Sequence, residues 1–304
     1  MKHFISLKYF SPKQIYQFLH LTKAIKAKPS LYNSSLKNRH VGLLFEKSSL
    51  RTKTAFYLGM LELGGGAIYY TPQEVELGKR EKISDVSQTL SRFLDAVVLR
   101  TFSHDTILEF VNFASIPVIN GLSDLLHPSQ VLADLFTMSE VKGEIKKLKV
   151  CYVGDGNNVC HSLMYAFSIL GGSLYVVNPK KYAPKNKIVA EAKKIRASGA
   201  KIRLSSSVDE AVKGADVLYT DVWTSMGKEA ESRQRKKIFR SFQINDKMIK
   251  LARKDCIVMH CLPAHRGEEI TDSVIAGKNS VVFLQAENRL HAAKAILVSL
   301  LRGR

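Results

Sequence analysis

Apolar positions along the chain follow two spacings that alternate. After Ser11-Pro12, Ile15, Phe18, Leu19, Thr22 and Ile25 recur at helical spacing, and a serine before a proline suits a helix start. An amphipathic helix is therefore expected near the beginning. Short apolar runs of strand length follow at 41–45, 67–70, 96–99 and 117–119, separated by helix-length segments. The same rhythm resumes at 149–153, 174–177, 201–204, 217–219, 256–259 and 280–283. Strands that alternate with helices predict two parallel sheets in an α/β protein. Between the two sets, 127–141 reads as one helix with Val131, Leu132, Leu135 and Met138 on its apolar side, placed to bridge two domains. A last helix is expected over 287–301, packing back toward the first domain. The expected division is 1–140, 141–286 and a C-terminal helix at 287–304. No internal repeat or low-complexity tract interrupts the pattern.

Composition narrows the function classes. A chain of 304 residues is long enough for two ordinary domains. Hydrophobic residues at 45% and charged residues at 24% are the balance of a folded globular protein. No apolar run approaches the ~20 residues of a membrane helix, and Met1-Lys2-His3-Phe4 leads into an amphipathic segment, so a cytoplasmic protein is expected. Cys151, Cys160, Cys256 and Cys261 form no C-x-x-C pair and read as reduced thiols, with neither a disulfide framework nor a metal site implied. The net charge of +19 invites a nucleic-acid partner. Yet Lys and Arg are spread along the whole chain, with one dense run at 233–237 and no aromatic residues interleaved. A solvated basic surface accounts for the charge, and its field helps to draw in a small dianion.

Ligands of open α/β sheets bind beyond the carboxyl ends of strands, so the polar residues just after each run carry the chemistry. After Phe45 comes Glu46-Lys47-Ser48-Ser49-Leu50-Arg51-Thr52 at a helix start. Free backbone N–H groups, the positive end of the helix dipole and the Arg51 fork make this an anion cradle; a plain helix cap is the simpler alternative. Arg100 closes the third run, where a buried arginine is costly unless it meets an anion; a surface salt bridge is the alternative. His127-Pro128-Ser129-Gln130 opens the bridging helix after Asn120-Gly121 and presents an imidazole and an amide.

In the second half, Gly154-Asp155-Gly156-Asn157-Asn158-Val159 looks like a dinucleotide fingerprint but fails it. The third glycine is Val159, and Asn178, not an acid, follows the next run. The asparagines suit a carboxylate ligand instead. Asp221 ends the run at 217–219 and leads into Trp223-Thr224-Ser225-Met226-Gly227, a set that suits an amino-acid zwitterion: Asp221 for its ammonium, Asn158 and Ser225 for its carboxylate. His260-Cys261-Leu262-Pro263 follows the run at 256–259. A cysteine nucleophile comes to mind, but adjacent strand residues face opposite ways, which leaves His260 badly placed to activate Cys261.

With these motifs in series, the sequence resembles the carbamoyltransferase family over nearly its whole length, and within it the ornithine branch. Ser49-x-Arg51-Thr52 and His127-Pro-x-Gln130 match the family's carbamoyl phosphate motifs; Asp221-x-x-x-Ser225-Met226-Gly227 and His260-Cys261-Leu262-Pro263 mark the ornithine branch. The resemblance implies two doubly wound parallel-sheet domains joined by two helices, and a homotrimer with sites at subunit interfaces. It implies transfer of a carbamoyl group from carbamoyl phosphate to the side-chain amine of L-ornithine, within arginine metabolism. No cofactor or metal is implied, and no nucleic acid or membrane partner.

By that resemblance Ser49, the Leu50 backbone, Arg51, Thr52 and Arg100 hold the phosphate. Thr52, Arg100, His127, Gln130 and Arg289 surround the carbamoyl oxygen and amide. Asn158, Asp221, Ser225 and Met226 take the amino-acid end of ornithine. Cys261 and the carbonyl of Leu262 lie beside its side-chain amine where it meets carbamoyl phosphate, and so belong to both substrates. The catalytic set is Arg51, Arg100, His127, Gln130, Asp221, Cys261 and Arg289. This requires the Arg51 turn and the Asp221 carboxylate to converge on one cleft.

Three positions depart from the family pattern. Leu50 removes a hydroxyl, Lys53 loses the planar fork of an arginine, and Glu76 puts a carboxylate where a neighbouring subunit commonly brings a glutamine to carbamoyl phosphate. The implied mechanism is direct attack by the neutral amine, with the oxyanion met by Arg51, Thr52 and His127. The rivals are a nucleic-acid-binding protein, which predicts salt-sensitive retention on DNA or RNA, an NAD(P) oxidoreductase, and a carbamoyltransferase acting on a related amine.

Overall fold

The computed structural model describes residues 2–224 and 229–302. Four of the apolar runs form parallel strands: β1 (His40–Phe45), β2 (Gly66–Tyr70), β3 (Ala96–Arg100) and β4 (Val118–Leu122), in the order β2-β1-β3-β4. The interior strands β1 and β3 are buried almost throughout, as continuous apolar runs in a parallel sheet require. The chain builds from β1 to β2 in one direction and then returns to β3 and β4 on the other side. The sheet is thus doubly wound, with its switch point between β1 and β3. Helices Ile83–Phe93 and His104–Phe113 supply apolar side chains that pack with Leu99, Val97 and Val118.

A second parallel sheet comprises β5 (Lys149–Val153), β6 (Ser173–Val177), β7 (Lys201–Ser205), β8 (Val217–Thr220) and β9 (Ile257–His260), ordered β7-β6-β5-β8-β9. Its switch point falls between β5 and β8 by the same logic. The edge strand β7 carries Lys201 and Arg203 and is largely exposed, which blunts an otherwise open ladder. Trp223, Phe239, Phe242 and Val258 lie in the core of this half.

The chain divides into two compact units, Met1–Phe136 with Glu287–Arg304, and Thr137–Ala286. Two long helices, Pro128–Lys142 and Val282–Leu301, span the two points of division in sequence.

The expected strand at 280–283 does not form. Ser280 makes one isolated bridge to Val258, and the carbonyl of Val281 already accepts from the Gln285 N–H at 2.8 Å. The last helix therefore begins at Val282, five residues before its expected start at 287, and Phe283 is 71% exposed. An apolar run of four residues cannot by itself distinguish a strand from the first turn of a helix.

Candidate functional site

Both switch points carry polar residues at the carboxyl ends of their strands. In the first unit, Glu46 follows β1, and its N–H donates to the Arg100 carbonyl at 2.8 Å while its carboxylate accepts from Phe102 N–H at 2.7 Å. These contacts latch the ends of β1 and β3 together. Ser49 then caps the helix Leu50–Glu62, accepting from Thr52 N–H at 3.2 Å. Ser49 is thus engaged as an N-cap without the reciprocal Gln or Glu of a capping box, since Thr52 stands at that position. Leu50 is 76% exposed, Arg51 is half-buried, and Thr52 is buried. Lys53 lies over the Tyr69 ring, 3.7 Å from its centroid, so its charge serves a cation–π contact.

Arg100 is the last residue of β3, an interior strand, and only 5% of it is exposed. Burial first, then the neighbouring Arg289 and Arg51 charges, lower its guanidinium to about 10, with Tyr69 acting in the opposite sense. Its Nε is buried with no hydrogen-bond partner among the described residues. Arg289 itself is buried and donates from Nη2 to Thr52 Oγ1 at 2.6 Å. His127 sits just before the helix Pro128–Lys142, at the end of a loop held by Asn120, whose amide donates to the Ile5 and Leu126 carbonyls. Burial, followed by Arg289, Arg100 and Arg51, holds the imidazole well below its ordinary 6.5. Three guanidinium groups thus act on one another and on a neutral imidazole. Such a cluster is stable only at a cost that an anion relieves.

Gln130 lies in the first turn of that helix, fully buried, with Nε2 donating to Asp134 Oδ1 at 2.8 Å. Of the sequence-predicted donor residues, Arg51, Arg100, His127 and Arg289 form one electrostatic group, joined by Thr52 through its hydrogen bond.

In the second unit the glycines of the Gly154-Asp155-Gly156 turn have reasons unrelated to a dinucleotide. Gly154 has φ of 145°, and a Cβ on Gly156 would lie 2.3 Å from the Pro184 nitrogen. Asn157 caps the helix Asn158–Leu170, its Oδ1 accepting from Val159 and Cys160 N–H groups at 3.0 and 3.2 Å. Its Nδ2 donates to Asp221 Oδ2 at 2.7 Å. Asp221, at the end of β8, accepts further on Oδ1 from its neighbour Val222 N–H at 2.8 Å and from the Cys261 thiol at 3.0 Å.

Cys261 therefore serves as a donor to a carboxylate. The imidazole of His260 is committed elsewhere: Nδ1 accepts from Leu262 N–H at 2.9 Å, which leaves Nε2 to donate to the buried Glu269 at 3.0 Å. Leu262 has φ of 57° and precedes a cis Pro263. Asn158 opens the helix, and its carbonyl accepts from Ser162. Ser225 and Met226 lie outside the described residues.

Sequence reasoning gave Asn157 to a ligand carboxylate together with Asn158, whereas its amide is committed to the helix cap and to Asp221; it missed Asp134 and the buried pair of Arg235 with Asp155. Arg235 Nη1 donates to Asp155 Oδ2 at 3.0 Å and to the Trp223 carbonyl at 2.7 Å, joining the ends of β5 and β8. A carboxylate at 134 on the apolar side of a helix, one turn from Gln130, was the available signal for Asp134.

Two doubly wound sheets with chemistry at their switch points, one cationic and one built around a fixed carboxylate, define an α/β enzyme of the group-transfer kind. The description "Aspartate/ornithine carbamoyltransferase, carbamoyl-P binding domain" matches residues 2–140, and its "Asp/Orn binding domain" counterpart matches residues 146–300. The chain belongs to the aspartate/ornithine carbamoyltransferase family. It is 46% identical over 303 residues to the ornithine carbamoyltransferase of Archaeoglobus fulgidus, covering 99% of this chain and 98% of that protein. The solved ornithine carbamoyltransferase from Pyrococcus furiosus matches with a TM-score of 0.96 at 45% identity, over 99% of this chain and 97% of that one. The anabolic ornithine carbamoyltransferase from Campylobacter jejuni matches with a TM-score of 0.95 at 38% identity, over 100% of both chains.

Proposed function

We propose that this chain transfers the carbamoyl group of carbamoyl phosphate to the side-chain amine of L-ornithine, giving L-citrulline and phosphate. The observation that carries this is the group of half-buried Arg51 and buried Arg100 and Arg289, whose charges act on a buried His127 and lower its pKa. A dianionic donor supplies the charge this group lacks. The helix start at Ser49, Leu50, Arg51 and Thr52 takes the phosphate through backbone N–H groups and the Arg51 fork. Arg100, Arg289, Thr52 and His127 then lie along the carbamoyl oxygen, which Arg51 reaches from the phosphate side, and Gln130 takes the carbamoyl amide. A neutral imidazole hydrogen-bonds that oxygen without adding a repelling charge to the cluster.

The acceptor reading rests on Asp221, whose fixed carboxylate suits an α-ammonium, with Asn158, Ser225 and Met226 assigned to the same end of ornithine. Cys261 and the Leu262 carbonyl are assigned to the side-chain amine. The amine attacks the carbamoyl carbon as a neutral base, and the developing oxyanion is met by Arg51, Thr52 and His127. The tetrahedral intermediate collapses with cleavage of its C–O bond to phosphate, and the departing phosphate takes the proton that the attacking nitrogen gives up. The thiol takes no covalent part, because it is a hydrogen-bond donor to Asp221.

We take the acting form to be a homotrimer and its place the cytoplasm, where four free thiols suit a reducing compartment. The functional reading is tested by steady-state kinetics of Arg51→Ala and Asp221→Asn. Arg51→Ala should raise the KM for carbamoyl phosphate and lower kcat, and Asp221→Asn should act mainly on the KM for ornithine. Near-normal turnover and unchanged carbamoyl phosphate affinity in Arg51→Ala would contradict the reading.

A further inference from the structure

We propose that Asp134 is a positioning residue that fixes which end of the Gln130 amide meets the donor, and thereby sets the preference for a carbamoyl group over an acyl group of the same shape. The inference rests on the donor site proposed above and deepens it.

Gln130 and Asp134 lie one turn apart on the helix Pro128–Lys142, the spacing that brings side chains into contact. Both are fully buried, and Gln130 Nε2 donates to Asp134 Oδ1 at 2.8 Å. A carboxylate only accepts hydrogen bonds, whereas an amide donates from one end and accepts at the other. Asp134 therefore dictates the orientation: the NH2 group turns to Asp134, and Oε1 turns away from it.

That Oε1 is buried and has no hydrogen-bond partner among the described residues. Buried acceptors are normally paired, so this one awaits a donor. A carbamoyl NH2 group donates two hydrogens and satisfies it. The methyl of an acetyl group has the same volume and donates none, so an acetyl phosphate would leave Oε1 unpaired. Sites built to pair with a polar substrate group reject the analogue that lacks it far more strongly than apolar pockets do.

With Asn in place of Asp134, either end of the new side chain complements either end of Gln130, and the lock is released. The experiment compares binding of carbamoyl phosphate, acetyl phosphate and inorganic phosphate to the whole protein by calorimetry, for the native chain and Asp134→Asn. The expected result is a fall of about tenfold in carbamoyl phosphate affinity with acetyl phosphate and inorganic phosphate unchanged, so that the preference ratio collapses. An unchanged ratio in Asp134→Asn would overturn the proposal, and equal weakening of all three ligands would do so too, since that marks a structural role only. If Asp134→Asn does not fold, Asp134→Ser, whose hydroxyl can donate or accept, is read in the same way: loss of the preference supports the proposal, and its retention overturns it. A native chain that binds neither carbamoyl phosphate nor inorganic phosphate would instead remove the donor site itself.

Discussion

The amide of Asn157 is held at both ends, its oxygen by the N–H groups of Val159 and Cys160 and its nitrogen by Asp221 Oδ2 at 2.7 Å. Because the cap fixes the oxygen, the NH2 group has one direction left, and it orients the Asp221 carboxylate. Replacing Asn157 with Ala removes a donor to a charged group, worth roughly 1.5–3 kcal/mol. The KM for ornithine should rise about 10- to 100-fold, with the KM for carbamoyl phosphate unchanged. Steady-state kinetics with each substrate varied in turn checks this; an equal rise in both would mark a general loss of structure.

His127 should stay neutral well below pH 6.5 in the free protein, because burial and then the Arg289, Arg100 and Arg51 charges lower its pKa. The folded state then binds fewer protons than the unfolded one below that pH. This group's contribution to stability is therefore in place above about 6.5 and is lost as pH falls beneath it. Binding of phosphate brings negative charge and should raise the His127 pKa. Imidazole NMR titration of the free and phosphate-bound protein reads both values, and a free-state value at or above the ordinary one would refute the electrostatic account.

An anion that relieves the cationic cluster should also stabilise the fold. At a ligand concentration a hundred times Kd the linkage is about 2.7 kcal/mol, a rise in Tm of roughly 5–10 °C for units of this size. Thermal melts with inorganic phosphate should show this shift in the native chain and little of it in Arg51→Ala. The same shift in both would place the phosphate elsewhere.

The Cys261 thiol donates to Asp221 at 3.0 Å, and His260 is engaged with Leu262 and Glu269. Cys261→Ser keeps a donor in that position and should retain kcat to within about tenfold. Loss of all turnover, or a carbamoyl group trapped on the native thiol, would favour covalent catalysis. The remaining thiols should resist modification in the folded protein, since burial pushes Cys151 and Cys256 up to about 12 and raises Cys160 as well.

The strands and the donor motifs were legible in the sequence because parallel strands read as unbroken apolar runs and the chemistry follows their carboxyl ends. Val281 and Val282 show the limit: the run resembles a strand, and only the Gln285-to-Val281 hydrogen bond decides for a helix. Asn157 was legible as a polar residue but not as a support for Asp221, because the two are 64 residues apart in the chain. Gln130 was visible through its motif, whereas the role of Asp134 depends on the orientation of an amide that no spacing encodes.

Acceptor choice bears most directly on the central claim. Product formation from carbamoyl phosphate should be followed with ornithine, putrescine, acetylornithine and aspartate side by side. A carboxylate set to receive an α-ammonium predicts citrulline from ornithine, with each other amine slower by about 100-fold or more. Comparable rates with putrescine, or a carbamoylated aspartate as the main product, would contradict it.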